Sequence, residues 1–187
     1  MKAQQNLLPI LQASYQNPNE AKQSLTNSGY TLDEELSRPN AKVFVDKKGR
    51  PNIAFRGSQR ASDFLISDPL LALGLGKYDK RYSDAQNLTK QVQEKYHKKV
   101  DTFGHSLGGR DAEISGANGH IYTYDKGVGI GDLFKTIPKK QMDIRTTNDI
   151  VSLGSLTQTH TKNNFKEIEK PNQTLLEAHD LNNLSSI

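Results

Sequence analysis

The sequence predicts an α/β fold in one domain: a mostly parallel sheet flanked by helices, with an N-terminal helical segment and reduced loops. The first observation is that predicted strands and helices alternate between residues 100 and 146, which favours parallel pairing with helices on the sheet faces. The second is a glycine-bounded serine at residues 104–109, where a predicted strand turns into a helix. The third is the length of 187 residues, which suits a single domain with a sizeable core.

The amino-terminal part, residues 1–40, is predicted as a helical segment that precedes a core at residues 42–184. Its helices span residues 4–15 and 19–27. The second helix ends at Ser28-Gly29, where glycine favours a helix stop.

The core begins with a hairpin and continues with alternating elements. Its first two strands, at 42–46 and 52–56, flank a polar turn, and a surface helix follows at 83–99. The later elements are a strand at 100–103, a helix at 107–117, a strand at 120–124, a short helix at 132–137 and a strand at 141–146. Ligands of such sheets bind outside the carboxyl ends of the strands, so we expect the functional residues there.

Composition narrows the class of protein. Hydrophobic residues make up 34% of the chain and the mean hydropathy is −0.73, yet seven Tyr and six Phe allow a packed interior. Cysteine is absent from the sequence, which excludes disulfides and thiolate metal sites and fits a reducing compartment. The apolar residues 7–11 are too few, and are interrupted by Pro9, for a signal peptide core or a membrane span. We therefore expect a cytoplasmic or virion-associated protein.

The net charge of +4 comes with two clusters of lysines. A solvated helix face is the simplest interpretation, and attraction to anionic lipid head groups is the alternative. We expect no nucleic-acid partner, because no aromatic residues are interleaved with the basic ones and no nucleic-acid-binding module is recognisable. The clusters consist of Lys90, Lys95, Lys98 and Lys99, and of Lys135, Lys139 and Lys140.

Residues 104–109 read Gly-His-Ser-Leu-Gly-Gly and carry the strongest chemical signal in the chain. A serine between such glycines suits the strained strand-to-helix turn that exposes a nucleophilic hydroxyl. Ser106 is therefore the candidate nucleophile, and it requires a base, an acid and an oxyanion hole.

The base is to be found among five histidines: His97, His105, His120, His160 and His179. His105 points away from Ser106 at a tight turn, His97 lies in a lysine-rich helix, and His120 begins a strand at the wrong end. We favour His179, because leucines on both sides can hold its ring still. His160 is the alternative, in a polar segment interpreted as a mobile loop.

The acid should follow a strand and orient that histidine. Asp149 directly follows the predicted strand at 141–146 and is favoured, with Asp125 as the alternative. Asp143 lies inside a strand, and Asp132 suits a helix start, where it would serve as a cap.

The oxyanion hole needs two donors aimed at the developing negative charge. One is the N–H of Leu107, the residue after the nucleophile. Ser58, in the strand-to-loop junction Phe55-Arg56-Gly57-Ser58, is the candidate for the other. An ordinary loop with a capping serine is the alternative interpretation of that junction.

These residues together resemble the class 3 lipases, the fungal lipase-like serine esterases with related plant and viral members. The elbow at 104–109 is the form typical of that family, and Phe55-Arg56-Gly57-Ser58 resembles its oxyanion strand. Asp63-Phe64 with Asp68, Asp149-Ile150-Val151 and the region of His179 resemble its further motifs. The resemblance implies the α/β-hydrolase fold and acyl-ester hydrolysis, and the short chain is more similar to a virus-encoded or intracellular member than to the secreted fungal enzymes.

The sequence also departs from the family. Tryptophan is absent, although the family usually has one where Phe64 stands, and Arg110-Asp111 occupy positions where small residues let the helix pack on the sheet. Residues 64–76, where the family often carries a lid, are an apolar run that suits either a flap or a buried core segment.

The sequence therefore predicts a serine carboxylester hydrolase, similar to a triacylglycerol lipase or a phospholipase, that forms an acyl-enzyme and needs no metal or organic cofactor. Its partner would be an acyl-ester or lipid substrate, with contact to a lipid surface, and the sequence sets no oligomeric state. The alternative from another class is a catalytically inactive lipid- or protein-binding or virion-associated module with the same fold. Protease and thioesterase activities use the same triad and stay open.

Overall fold

The computed structural model describes residues 7–58 and 79–186, which form one seven-stranded sheet with helices on both faces. The strands are β1 (Tyr30–Arg38), β2 (Ala41–Asp46), β3 (Pro51–Phe55), β4 (Asp101–His105), β5 (Ile121–Tyr124), β6 (Gln141–Thr146) and β7 (Phe165–Ile168). The α-helices are α1 (Leu7–Tyr15), α2 (Pro18–Asn27), α3 (Asp79–Tyr96), α4 (Leu107–Ile114) and α5 (Leu175–Ala178). Three 3₁₀ segments follow β5, β6 and α5, at Ile130–Asp132, Leu153–Thr157 and Leu181–Ser186.

The strands lie in the sheet in chain order. β1, β2 and β3 pair antiparallel, whereas the neighbours from β3 to β7 all pair parallel. This arrangement confirms the predicted mixed α/β class with a mostly parallel sheet, and it is compatible with an α/β-hydrolase-like fold.

The register of the parallel strands brings their carboxyl ends to one edge. Phe55 pairs with Gly104, and His105 pairs with Tyr124. Tyr124 pairs in turn with Ile144. The segments that follow β3, β4, β5 and β6 therefore open on the same side of the sheet, which is where the candidate site residues lie.

Each face of the sheet buries its own core, because successive side chains of a strand point to opposite sides. On one face, α1 and α2 cover Phe44, Phe103 and Tyr124. On the other face, α3 and α4 cover the alternate positions, among them Val43 and Ile53.

The N-terminal segment is helical only as far as Asn27, so the prediction of a helical segment through residue 40 was wrong. Tyr30–Arg38 form the edge strand β1, which pairs with β2. Its acidic stretch hides the alternation of a strand: Asp33 is buried by contacts with Lys95 and Tyr96 of α3 rather than by apolar neighbours. β7 was missed for a similar reason, since two of its four residues are charged.

The short helix predicted at 132–137 was also wrong, because Phe134 has a φ of +64° and the helical segment there is the 3₁₀ turn Ile130–Asp132. The family-like positions Asp63, Phe64 and Asp68, and the proposed lid at 64–76, lie outside the described residues. In residues 7–58 and 79–186, none of the helices combines the length and the apolar character that crossing a membrane requires.

Candidate active site

Ser106 lies on the sharp turn between β4 and α4. Its φ of +57° and ψ of −128° place it in a region that side-chain-bearing residues rarely occupy. The turn is fixed from both sides: the Ser106 N–H donates to the Tyr124 carbonyl at 3.0 Å, and the Ser106 carbonyl accepts from the N–H groups of Gly109 at 3.0 Å and Gly127 at 3.1 Å. This is the strained geometry that the elbow motif predicts.

The glycines of the elbow allow α4 to pack directly on the strands. A Cβ on Gly104 would overlap the backbone of Gly108, and a Cβ on Gly108 would overlap the Phe55 carbonyl of β3. The helix therefore starts in direct contact with β3 and β4, which brings the end of β3 next to Ser106.

Asp149 and His179, thirty residues apart in the chain, meet in the interior. The His179 Nδ1 is 2.9 Å from the Asp149 Oδ1, and both side chains are buried. Burial alone would raise the pKa of Asp149, but the hydrogen bond and charge of His179, with N–H donors from Ser152 and Val151, hold that pKa below its usual value. Burial likewise opposes a charged His179, yet the hydrogen bond and charge of Asp149 raise its pKa above the usual range.

The remaining ring nitrogen of His179 is unoccupied. Its Nε2 is buried and has no hydrogen-bond partner among the described residues, so Ser106 Oγ does not hydrogen-bond to it in this structure. Because Nδ1 donates to Asp149, the lone pair of the neutral ring lies on Nε2. His179 is nevertheless close to the elbow, since its ring centroid is 4.7 Å from that of His105, the residue before Ser106.

His105 connects the elbow to two other parts of the chain, and sequence reasoning missed this role. Its Nε2 lies 3.2 Å from the His179 carbonyl, and its Nδ1 lies 2.7 Å from the Tyr15 Oη. Tyr15 Oη in turn accepts the Gly57 N–H at 2.9 Å. Because a carbonyl only accepts, Nε2 carries the proton, and Tyr15 donates to Nδ1. Burial and the neighbouring His179 lower the pKa of His105, which keeps this ring neutral, and burial raises the pKa of Tyr15 to about 12.

One of the two predicted oxyanion donors, Leu107, belongs to the elbow, and the other, Ser58, follows the end of β3 beside it. Leu107 is the first residue of α4, and the first N–H groups of a helix have no acceptor within it. Ser58 follows Gly57, where a Cβ would stand 2.9 Å from the Ser106 Cβ and 2.6 Å from the Tyr15 Oη. Glycine is thus required where the oxyanion strand passes between Tyr15 and Ser106.

Asp125, the alternative acid, follows β5 but does not contact His179 in a hydrogen bond. Its carboxylate accepts the Thr146 N–H at 2.6 Å and the Thr146 hydroxyl at 3.1 Å. Burial and the nearby negative charge of Asp149 raise the pKa of Asp125 to about 7. The site therefore holds two carboxyl groups of different character, one ionised against His179 and one that titrates near neutrality.

His160, the alternative base, lies in a different environment. Its segment was interpreted as a mobile polar loop, but its side chain is only 9% exposed and its Nε2 lies 2.9 Å from Asp143 Oδ2. Its Nδ1 lies 3.2 Å from the Gln158 carbonyl. Asp143 also binds the buried Lys126 Nζ at 2.9 Å, which belongs to an ion cluster with Glu113. His97 and His120 are exposed and lie away from the elbow.

Arg110 and Asp111, the departures from the family pattern, form ion pairs at the sides of α4. Arg110 pairs with Asp132 and packs over the Tyr82 ring. Asp111 is buried and pairs with Arg81 of α3 at 2.5 Å. Burial, despite that arginine, raises the pKa of Asp111 to about 6. Arg81 also donates to the Arg56 carbonyl, so these charges hold α3, α4 and the oxyanion strand together where small residues were expected.

One group in the described part of the chain, formed by His105, Asp125 and His179, brings its metal-binding atoms within 4.8 Å of one another. Both nitrogens of His105 and both oxygens of Asp125 already have hydrogen-bond partners. A metal there would have to displace those partners, so hydrogen bonding and proton transfer describe this donor set better than coordination.

Comparison of the sequence with known proteins identifies the family of the chain. No curated protein matches the sequence. A family model described as a Tle-like phospholipase domain, of the phospholipase-like group, matches residues 9–143, which include the elbow and the oxyanion strand. Since this match covers well over half of the chain, the chain belongs to the family of Tle-like phospholipase domains.

Proposed function

We propose that the protein hydrolyses the carboxylic acyl esters of lipids through an acyl-enzyme on Ser106, with His179 as the base and Asp149 as the acid. The observation that carries this proposal is the buried Asp149–His179 pair: its Nε2 is free, and the His179 ring lies 4.7 Å from that of His105 in the strained serine elbow. The family of phospholipase-like domains supports the reaction class, and the resemblance of the elbow and oxyanion strand to class 3 lipases supports the roles of the residues.

The proposed reaction starts when Ser106 Oγ attacks the ester carbonyl carbon and its proton passes to His179 Nε2. The N–H groups of Leu107 and Ser58 stabilise the tetrahedral oxyanion. As the intermediate collapses, the C–O bond to the alcohol breaks and His179 returns the proton to the leaving oxygen. Water then attacks the acyl-enzyme with His179 again as base, which releases the carboxylic acid and restores Ser106.

Asp149 would serve this cycle by remaining ionised. Its lowered pKa keeps the carboxylate negative at neutral pH, and the negative charge stabilises the imidazolium that forms during each proton transfer. The hydrogen bond to Nδ1 also fixes the tautomer whose lone pair is on Nε2.

Contact with a lipid surface is part of the proposal. Two loops beyond β5 and β6 expose large apolar side chains: Ile130 and Phe134, and Leu153 and Leu156. The loops are adjacent, because a Cβ on Gly154 would lie 2.9 Å from the Val128 Cβ. Replacing Phe134, which is 78% exposed, by serine should lower binding to phospholipid vesicles about tenfold. Vesicle sedimentation measures this, and unchanged binding would contradict the contact.

The test of the proposed activity is labelling of the protein with a fluorophosphonate, together with hydrolysis of a nitrophenyl ester. Ser106→Ala should abolish labelling and lower ester turnover at least about 10⁴-fold. Ser83→Ala, at an exposed serine of α3, is the matched control and should behave as the wild type. A wild-type protein that is neither labelled nor active would support the inactive lipid- or protein-binding module instead. The same assay, run on triacylglycerol and phospholipid, tests the predicted similarity to a triacylglycerol lipase.

A further inference from the structure

A cationic cleft lies next to the oxyanion strand, on the face of the sheet that α1 covers. It encloses about 500 Å³ between the junction of α1 with α2 and the facing ends of β1 and β2. Arg38, Lys42 and Arg56 contribute positive charge to its walls, and Tyr15 forms the wall nearest Ser106. Glu34 also lines the cleft, but its carboxylate pairs with Lys22 at 2.8 Å on the outside.

The strand register places two of these cations side by side. Lys42 of β2 pairs with Ala54 of β3, and the Arg56 N–H donates to the carbonyl of Asn40, which lies two residues before Lys42 and just before β2 begins. Lys42 and Arg56 are therefore diagonal neighbours whose side chains project from the same face. The chain holds two positive charges together there without an acidic residue between them on the strands.

Both cations are poorly compensated by the protein. Lys42 is 3% exposed, and the hydrogen bond of its Nζ is to a backbone carbonyl, that of Arg38 at 3.1 Å. Burial, and then the charge of Arg56, lower the pKa of Lys42. The Arg56 Nε is buried and has no hydrogen-bond partner among the described residues. Buried charges of this kind are costly unless an anion approaches them.

The position of the cleft relates it to the candidate nucleophile. Arg56 is separated from the proposed donor Ser58 by Gly57 alone, and Gly57 contacts both Tyr15 and the elbow. A substrate whose ester carbonyl sits at Ser106 would reach Lys42 and Arg56 by extending its alcohol side past Tyr15. In a glycerophospholipid the phosphate is only a few bonds from the acyl ester carbonyl, on the alcohol side.

We propose that Lys42 and Arg56, with Arg38 at the rim, bind a phosphate group, and that this group is the headgroup phosphodiester of a phospholipid whose acyl ester lies at Ser106. Guanidinium and ammonium donors are the side chains that bind phosphate best, and an anion would satisfy the free donors of both cations. The inference rests on the proposed function, because it assigns the leaving alcohol of that reaction to this side of Ser106.

The experiment compares two soluble substrates that differ in the phosphate, dihexanoylphosphatidylglycerol and dihexanoylglycerol. The measured quantity is kcat/KM for the phospholipid divided by kcat/KM for the diacylglycerol. Lys42→Met should lower this ratio about 10–100-fold, chiefly by raising KM for the phospholipid. Arg38→Gln, at an exposed residue, should lower the same ratio by a smaller factor. Lys90→Gln removes an equal charge from the opposite face and should leave the ratio unchanged. An unchanged ratio in both Lys42→Met and Arg38→Gln would overturn the headgroup assignment.

Titration of inorganic phosphate into the wild type and Lys42→Met separates a headgroup from a free anion. Phosphate binding that Lys42→Met abolishes, together with the fall in the ratio, supports the proposal. The same binding with an unchanged ratio would overturn it in favour of a site for free phosphate. If the wild type hydrolyses neither substrate, the proposed function fails, and the titration still tests the cleft by itself.

Discussion

In the part of the chain that the structure describes, two buried aspartate–histidine pairs each have 2.9 Å between a ring nitrogen and a carboxylate oxygen, and they differ in what surrounds them. His179 and Asp149 meet beside the elbow, whereas His160 and Asp143 meet inside an ion cluster behind α4. Both histidines are candidates from the sequence, and distance to a carboxylate does not separate them. The difference lies in the second ring nitrogen and in the charge around the carboxylate.

In the pair formed by His160 and Asp143, both ring nitrogens face acceptors. The Gln158 carbonyl lies at one nitrogen and the Asp143 carboxylate at the other, so neither nitrogen of this ring is left free for a serine. Burial acts against the charge of Asp143, but hydrogen bonds from His160, Lys126 and Gln141 lower its pKa to well below the usual range. This pair has the character of a structural ion cluster.

In the pair formed by His179 and Asp149, one nitrogen is bonded and the other is free. The neighbouring charge is also different, because Asp149 lies near a second carboxyl group, Asp125. A histidine held by one acid and left unsatisfied on its other side is able to accept a proton. A candidate base is therefore distinguished by a free ring nitrogen on a histidine beside the elbow, and not by the aspartate–histidine pair alone.

The largest expected effect comes from removing each histidine in turn. His179→Ala should lower kcat/KM for a nitrophenyl ester at least about 10⁴-fold, since it removes the proposed base. His160→Ala should lower stability, because Asp143 loses a partner, but should leave kcat/KM per folded molecule within about threefold. Rates normalised by circular dichroism at low temperature measure this difference. A larger loss of activity in His160→Ala would reverse the assignment of the base.

Replacing the aspartate of each pair should distinguish the two pairs by the pH dependence of kcat/KM. The kcat/KM of the wild type should rise with pH through the raised pKa of His179, so its acid limb should lie above pH 6.5. Asp149→Asn removes the charge that raises this pKa. We expect a loss of about 10³–10⁴-fold in rate and a shift of the limb to lower pH, because burial alone disfavours the imidazolium.

Asp143→Asn is the control for that experiment. It should leave the acid limb in place and lower the free energy of unfolding by about 3 kcal/mol, because the buried Lys126 loses one of its two carboxylate partners. A limb that moves in Asp143→Asn and stays fixed in Asp149→Asn would invert the roles of the two pairs.

The sequence was sufficient for the parts of the fold that follow local rules. The parallel core strands and the helix after the elbow came from apolar periodicity and glycine positions, and the fold class is confirmed. The two edge strands β1 and β7 were missed, since charged side chains there make contacts that only the tertiary structure supplies. Asp33, buried by the Lys95 ammonium, is an example.

The candidate site divides in the same way. The chain order of a serine, an acid and a late histidine indicated Asp149 and His179, which the structure brings together, and their catalytic roles stay predictions. The contacts of Tyr15 with His105 and Gly57 depend on how α1 packs over the strand ends, and no spacing in the sequence indicates them. The burial of His160 was missed because the sequence of its polar segment does not indicate that His160 contacts Asp143, which in turn binds Lys126.

The smallest expected effect concerns Asp125, the carboxyl group that lies near Asp149 in the first of the two aspartate–histidine pairs. Its pKa of about 7 in the folded protein exceeds the usual value in an unfolded chain, so the folded state holds a proton that the unfolded state releases. The stability that this group contributes is therefore fully present below about pH 4 and is lost as the pH rises towards 7.

Asp125→Asn keeps an acceptor for the Thr146 N–H but cannot ionise. The free energy of unfolding of Asp125→Asn, measured with urea, should therefore increase relative to that of the wild type as the pH rises from about 4 to about 8. Asp143→Asn should show no such trend over this range, because a carboxylate with a lowered pKa is ionised in both the folded and the unfolded state above about pH 4, and its contribution to stability is lost only below that pH. A gap between Asp125→Asn and the wild type that stayed constant over this range would mean that folding does not raise the pKa of Asp125. The two pairs would then differ only in the free nitrogen of His179, and the carboxyl group beside Asp149 would have no part in setting the charge of the site.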